Sequence, residues 1–133
     1  MYQILMPVDR DEDRSAAQAE YILNCPVDHD EIEVTVLHVL ARKDASTADS
    51  ENFDGNEAAI AAANRLEGAG ITVNRTLGTG EPVSGRILDR AAEIDADEIV
   101  MSGRKRSGVS QVLIGSTATD VMQAAERPVV MVG

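Results

Sequence analysis

A chain of 133 residues with 23 acidic and 12 basic side chains, net charge −11, fits one domain spanning 1–133 and is long enough to bury a core without disulfides or metals. That field disfavours general binding to nucleic acid, and with no Trp, one Phe and two Tyr the chain has few platforms on which bases could stack. Lysine occurs only at Lys43 and Lys105, an acidic, lysine-poor balance that suits either a surface kept hydrated in the salt of a halophilic cytoplasm or a merely acidic mesophile.

The opening MYQILMPVDRDEDRS lacks the charged start and long apolar run of a secretion signal, and no apolar stretch approaches membrane-spanning length. The chain therefore reads as soluble and cytoplasmic, with no membrane partner. YQILMPV (2–8) predicts a first strand. Residues 13–23 predict a helix with Ala16, Ala17, Ala19, Ile22 and Leu23 as its apolar face, after an acidic turn that suits the helix dipole. Pro26 helps to stop it. Cys25, the single cysteine, excludes an internal disulfide and reads as a small buried thiol.

IEVTVLHV (32–39) predicts the second strand, in which His38 reads as a packed or hydrogen-bonded histidine rather than a catalyst. The polar, acidic stretch 43–57 reads as a flexible loop. It fails as a calcium loop: counted from Asp49, Phe53 falls on a ligand position and Gly55 misses the required glycine place. A second helix near 57–68 ends at Gly68 and Gly70, and ITVNRTLG (71–78) predicts the third strand. Gly78-Thr79-Gly80-Glu81-Pro82 then leads into a third helix, with Pro82 at its first helical position and Ile87, Leu88, Ala91, Ala92 and Ile94 as its core face. DEIVMSG (97–103), a helix over 116–125 ended ahead of Pro128, and PVVMV (128–132) complete the chain.

Strands alternating with helices predict an α/β fold, a flavodoxin-like or Rossmann-like doubly wound open parallel sheet of five strands in order 3-2-1-4-5, with helices on both faces. Such sheets bind ligands beyond the carboxyl ends of the strands, at the switch point. Here that point lies between Asp9, after the first strand, and Ser102, after the fourth.

SGRKRSGVSQVLIGST (102–117) begins at that place. Arg104, Lys105 and Arg106 in so acidic a chain point to an anion, unless they pair with carboxylates of this or a neighbouring chain, exposed pairs being common and weak. In molar salt the Debye length falls to about 3 Å, so the triplet would act only at hydrogen-bond range. A Walker A loop is excluded because Gly108 is followed by Val109 instead of lysine. VDRDEDRS has no glycine for a dinucleotide fingerprint. A receiver domain would need a phosphorylatable Asp where Leu77-Gly78-Thr79 stands, and neither histidine sits in a nucleophile arrangement.

Over essentially its whole length the chain resembles the universal stress protein family, through MPVDRDEDRS, VTVLHV, GTGEP, ADEIVMSGRKRSGVSQVLIGST and RPVVMV. The signature of that family's nucleotide-binding branch is Gly, two residues, Gly, nine residues, then Gly-Ser or Gly-Thr; ending it on Gly115-Ser116 places Ser102 and Lys105 on its first two glycines. The resemblance implies a nucleotide site drawn from Pro7, Val8, Asp9, Val39, Met101, Ser102, Gly103, Arg104, Lys105, Arg106, Gly115, Ser116 and Thr117, with Asp9 near the ribose and Val39 near the base. From the residues alone, Gly115, Ser116 and Thr117 at a helix start offer donors to a phosphate, or Ser116 is a plain N-cap. Asp9 likewise is either a ligand contact or a cap for the first helix.

The implied function is an adenine-nucleotide (ATP or AMP) binding regulator of a stress response, not an enzyme. Lys105 either obstructs with its Cβ a cradle that glycine leaves open, or replaces backbone N–H contacts with the direct charge of its ammonium; the first case favours one alternative, a nucleotide-independent dimeric interaction module. The other is a slow ATPase in which Asp9 touches magnesium. No metal or cofactor is required for folding, and strand 128–132 either pairs across a homodimer axis or is a buried edge.

Overall fold

The computed structural model describes residues 1–40, 53–105 and 112–133; the side chains of Asp54, Arg104, Lys105, Val112 and Leu113 are outside that description. Along the chain run β1 (Tyr2–Val8), α1 (Glu12–Leu23), β2 (Ile32–Leu40), α2 (Glu57–Gly68), β3 (Thr72–Thr79), α3 (Val83–Glu93), β4 (Glu98–Ser102), β5 (Arg104–Lys105), β6 (Val112–Leu113), α4 (Ser116–Ala124) and β7 (Val129–Val132). The main sheet has the order β3-β2-β1-β4-β7, every pairing parallel. Counting only its own strands, this is the expected 3-2-1-4-5.

Alternation along the strands sorts the core into two layers, as a parallel sheet covered on both faces requires. Ile4, Met6, Val8, Val34 and Val36 pack with Ala19 and Ile22 of α1 and Ala59, Ala63 and Leu66 of α2. On the opposite face Leu5, Leu37, Ile99 and Met101 pack with Ile87 and Ala91 of α3 and Ala118 and Val121 of α4. Small alanines, Ala59, Ala62 and Ala63, make up most of the face that α2 buries in this layer.

Several details depart from the sequence reading. Asp11, not Asp9, caps α1: its Oδ1 accepts from the N–H of Arg14 at 2.9 Å. Pro82 stands outside α3 as its N-cap, with an extended ψ of 150°, because Gly80 turns the chain at φ +109° and donates its N–H to Leu40 O at 3.2 Å. A side chain at position 80 would be strained in that region. Gly115 is the N-cap of α4, so Ser116 is the first helical residue and does not cap. Cys25 is half-buried, where loss of solvent pushes its thiol pKa up. Of the loop expected over 43–57, residues 43–52 lie outside the described residues; Phe53–Gly55 form a 3-10 turn that buries Phe53 in the core. The pairing of β5 with β6 as an antiparallel hairpin is an addition that no periodic pattern announces.

The centre of the sheet holds an irregularity that shapes everything beyond it. β1 pairs with β4 through Ile4↔Glu98 and Leu5↔Ile99 only. Continued by two residues, that register would aim the N–H of residue 7 at the carbonyl of Val100, and Pro7 has no N–H to give. Gln18 of α1, 1% exposed, takes its place: Nε2 donates to Pro7 O at 2.7 Å and to Val100 O at 2.9 Å. Its Oε1 is buried with no hydrogen-bond partner among the described residues, so the amide is held through its donor end.

At the other end of the sheet Tyr2 donates to Glu98 Oε2 at 3.1 Å. Burial, then the bond and charge of Glu98, push that phenol up to about 12. This corner is structural and lies at the amino ends of the strands, away from the switch point.

Gln18→Leu keeps the volume and removes the donor, leaving two strand carbonyls without it. The expected loss is about 2–4 kcal/mol in urea denaturation, with the native strand order retained; an unchanged midpoint would mean that the amide does not bridge the strands.

Candidate functional site

Beyond the split between β1 and β4 opens a cleft of about 520 Å³, within the size range of small-molecule sites. Its rear wall is aliphatic, built from Leu37 and Val39 of β2, Val83 and Ile87 of α3, and Met101 of β4. The chain's three aromatic residues, Tyr2, Tyr21 and Phe53, are not among its lining residues. His38 is buried and reaches the cleft from β2, as expected of a packed strand histidine.

The front of the cleft is polar. Pro7 and Val8 deliver the chain to Asp9, which is exposed and lines the opening with Arg10 and Arg14. Asp9 does not wave in solvent: its Oδ1 accepts from the Asp11 N–H at 2.9 Å, and its Oδ2 accepts from Arg14 Nε at 2.8 Å and faces Arg14 Nη2 at 2.7 Å. The backbone is fixed as well. Asn56, 1% exposed, caps α2 through the Ala59 N–H at 3.1 Å and donates Nδ2 to Asp9 O at 2.9 Å. Arg10 reaches across to Gly55 O at 2.9 Å.

At the far side stands the start of α4, where Gly115, Ser116, Thr117 and Ala118 line the cleft. No side chain caps this helix among the described residues. Its first N–H groups therefore face the opening without an intrahelical partner, at the end of the helix that carries positive partial charge. Gly115 has φ −74°, a conformation open to any residue, and a Cβ built on it meets nothing within 4 Å. Glycine serves space here, not backbone strain.

The sequence profile of the universal stress protein family matches residues 1–133. The chain belongs to that family. No curated protein sequence matches it. Among solved structures, a universal stress protein from Archaeoglobus fulgidus superposes with a TM-score of 0.82 at 25% identity, covering 100% of this chain and 99% of that one. A universal stress protein of the same organism in complex with dAMP gives 0.79 at 23% identity, with 100% and 98% covered. An Arabidopsis thaliana family protein with AMP bound gives 0.70 at 15% identity, with 99% and 91% covered. At such identities the last two establish the fold alone.

For this universal stress protein the structure gathers Pro7, Val8, Asp9, Val39, Met101, Ser102, Gly115, Ser116 and Thr117 around one cleft. Gly103 is not among the lining residues; it is buried, and its N–H donates to Val132 O at 2.8 Å, closing the β4–β7 ladder. The backbones of Arg104 and Lys105 form β5, opposite Leu113 and Val112, so Lys105 occupies an extended strand position. Their side chains, and the whole of Arg106, lie outside the described residues.

Arg10, Arg14, Leu37, Val83 and Ala118 join the site without having been singled out, and Ile87, expected only as a core residue, joins them. Asn56 directly before Glu57 carries a recognisable N-cap signal. Nothing in the spacing of Asp9 and Arg14 distinguishes their pair from any other ion pair on an acidic surface.

Proposed function

We propose that this universal stress protein is an adenine-nucleotide-binding regulator. The nucleoside lies against the aliphatic wall near Val39 and Met101, the ribose meets Asp9, and a phosphate is held at the start of α4 by Gly115, Ser116 and Thr117. The observation that carries the reading is the polarity of a single cleft: an apolar slot at one end, a fixed carboxylate between, and an uncapped helix N-terminus at the other. Phosphate suits that terminus, where backbone donors and the helix dipole act together. The dAMP and AMP carried by the Archaeoglobus and Arabidopsis structures, and the cAMP of a further universal stress protein, support adenine nucleotides as the ligand class. AMP or ATP is the expected ligand. Regulation rather than turnover is favoured by the pairing of Asp9, the one carboxylate lining the cleft among the described residues, with Arg14.

Homodimerisation through the last strand rests on a different observation. β7 is an edge strand bonded to β4 alone among the described residues, and all four of its apolar residues stay only half-buried. A second copy adding its own edge there would cover them. The abundance of exposed acidic residues and the scarcity of lysine support a protein adapted to concentrated salt.

Calorimetry with AMP, ADP and ATP in high salt is expected to give saturable binding with at least one of them. Gly115→Arg, which folds because φ −74° and open space accept it, is expected to lose that binding. Absence of heat with all three ligands, together with unchanged melting temperature in their presence, refutes the nucleotide reading. For the dimer, light scattering at micromolar concentration should return twice the 14.2 kDa chain mass; a monomer contradicts it.

A further inference from the structure

Asp9 is the carboxylate to which a divalent cation accompanying a nucleotide would be expected to bind, and its surroundings do not fit that role. One of its oxygens, Oδ2, already receives both Nε and Nη2 of Arg14, at 2.8 and 2.7 Å. The other, Oδ1, holds the Asp11 N–H at 2.9 Å. A carboxylate oxygen has two acceptor sites, so Oδ2 is filled and one site remains on Oδ1. Magnesium binds at about 2.0–2.1 Å with strict octahedral demands, and it would have to settle beside a guanidinium of the same sign. A ribose hydroxyl, which needs a single acceptor site and carries no charge, fits what is left.

Arg14 is itself held in place. Its backbone N–H is the donor that satisfies the Asp11 cap at 2.9 Å, and its Nη1 lies 3.6 Å from Asp11 Oδ2, so the guanidinium sits between two carboxylates at the start of α1. It lines the cleft with Asp9. No group of three or more potential metal ligands exists among the described residues.

We infer that Arg14 is a specificity-determining residue of this site: its guanidinium takes the place of a divalent cation at Asp9, so that nucleotide is bound without a metal on that carboxylate. The inference deepens the nucleotide reading and rests on it for the identity of the ligand, but the cation preference of Asp9 is a property of the free protein. Arg14→Gln removes the built-in charge and frees Oδ2 for a metal.

The test is manganese alone, titrated into the ¹⁵N-labelled full chain without nucleotide and followed by paramagnetic broadening of backbone amides. In the wild type the amides of Asp9, Arg10 and Asp11 should broaden only at the manganese concentrations that broaden other acidic surface positions. In Arg14→Gln they should broaden at about tenfold lower manganese, the scale on which removing a like charge beside a partly exposed carboxylate relieves Coulomb repulsion of a cation. Arg14→Lys, which keeps the charge but loses the fork, should fall between. Equal broadening at Asp9 in the wild type and in Arg14→Gln overturns the inference. Where nucleotide also binds, wild-type affinity should be the same in EDTA and in magnesium, and a magnesium requirement that Asp9→Asn abolishes would overturn it too. Failure of every nucleotide to bind counts against the proposed function alone, since the manganese readout decides this inference by itself.

Discussion

A missing hydrogen bond at the middle of the sheet determines the rest of the molecule. Pro7 cannot donate to β4, and an open pair of carbonyls between two buried strands would be costly. Gln18 resolves this by inserting one amide between Pro7 O and Val100 O, which lets β1 and β4 separate without leaving either carbonyl stranded. The cleft begins where their ladder stops. Because Gln18 belongs to α1, the same two bonds fix that helix against both strands, and its start carries the Asp11 cap and Arg14. The orientation of Asp9 therefore follows from an irregularity one turn of helix away.

From that split the cleft acquires two unlike ends. Leu37, Val39, Ile87 and Met101 continue the layer that packs α3 and α4 against the sheet, so the slot is an extension of the core that the helices do not fill. The polar end is made of things the fold leaves over: the first N–H groups of α4 and the turn after β1. That turn is held from α2 by Asn56, from α1 by Arg14 and by its own Arg10 on Gly55. In a chain of net charge −11, pairing Asp9 with Arg14 keeps the mouth of the cleft from repelling an anion.

The repeating parts of this structure were legible in the residues, and the singular parts were not. Strand order, helix faces and the switch point follow from periodicity and right-handed crossovers, which put Asp9 and Ser102 at strand ends and Ser116 at a helix start, whereas Val39 and Met101 enter the site only through the family resemblance. Gln18 escaped because a polar residue on the apolar face of a helix looks like an interruption; only the absent donor of Pro7, distant in sequence, gives it meaning. Pro82 was assigned one residue too far into α3 because Gly80 had already turned the chain. The hairpin of Arg104–Lys105 with Val112–Leu113 involves two residues on each side, too few to show a period. Family likeness supplied the phosphate pattern, but not the fact that Lys105 would stand in a strand.

One cleft, opened by Pro7 and Gln18, is proposed to read a nucleotide from its aliphatic slot to the start of α4. A crystal structure with AMP tests it most directly. The phosphate is expected within hydrogen-bond distance of the Ser116 and Thr117 N–H groups, a ribose hydroxyl on Asp9 with the Arg14 pair intact, and the base against Val39 and Met101. AMP seated elsewhere, or its phosphate turned away from α4, would contradict it.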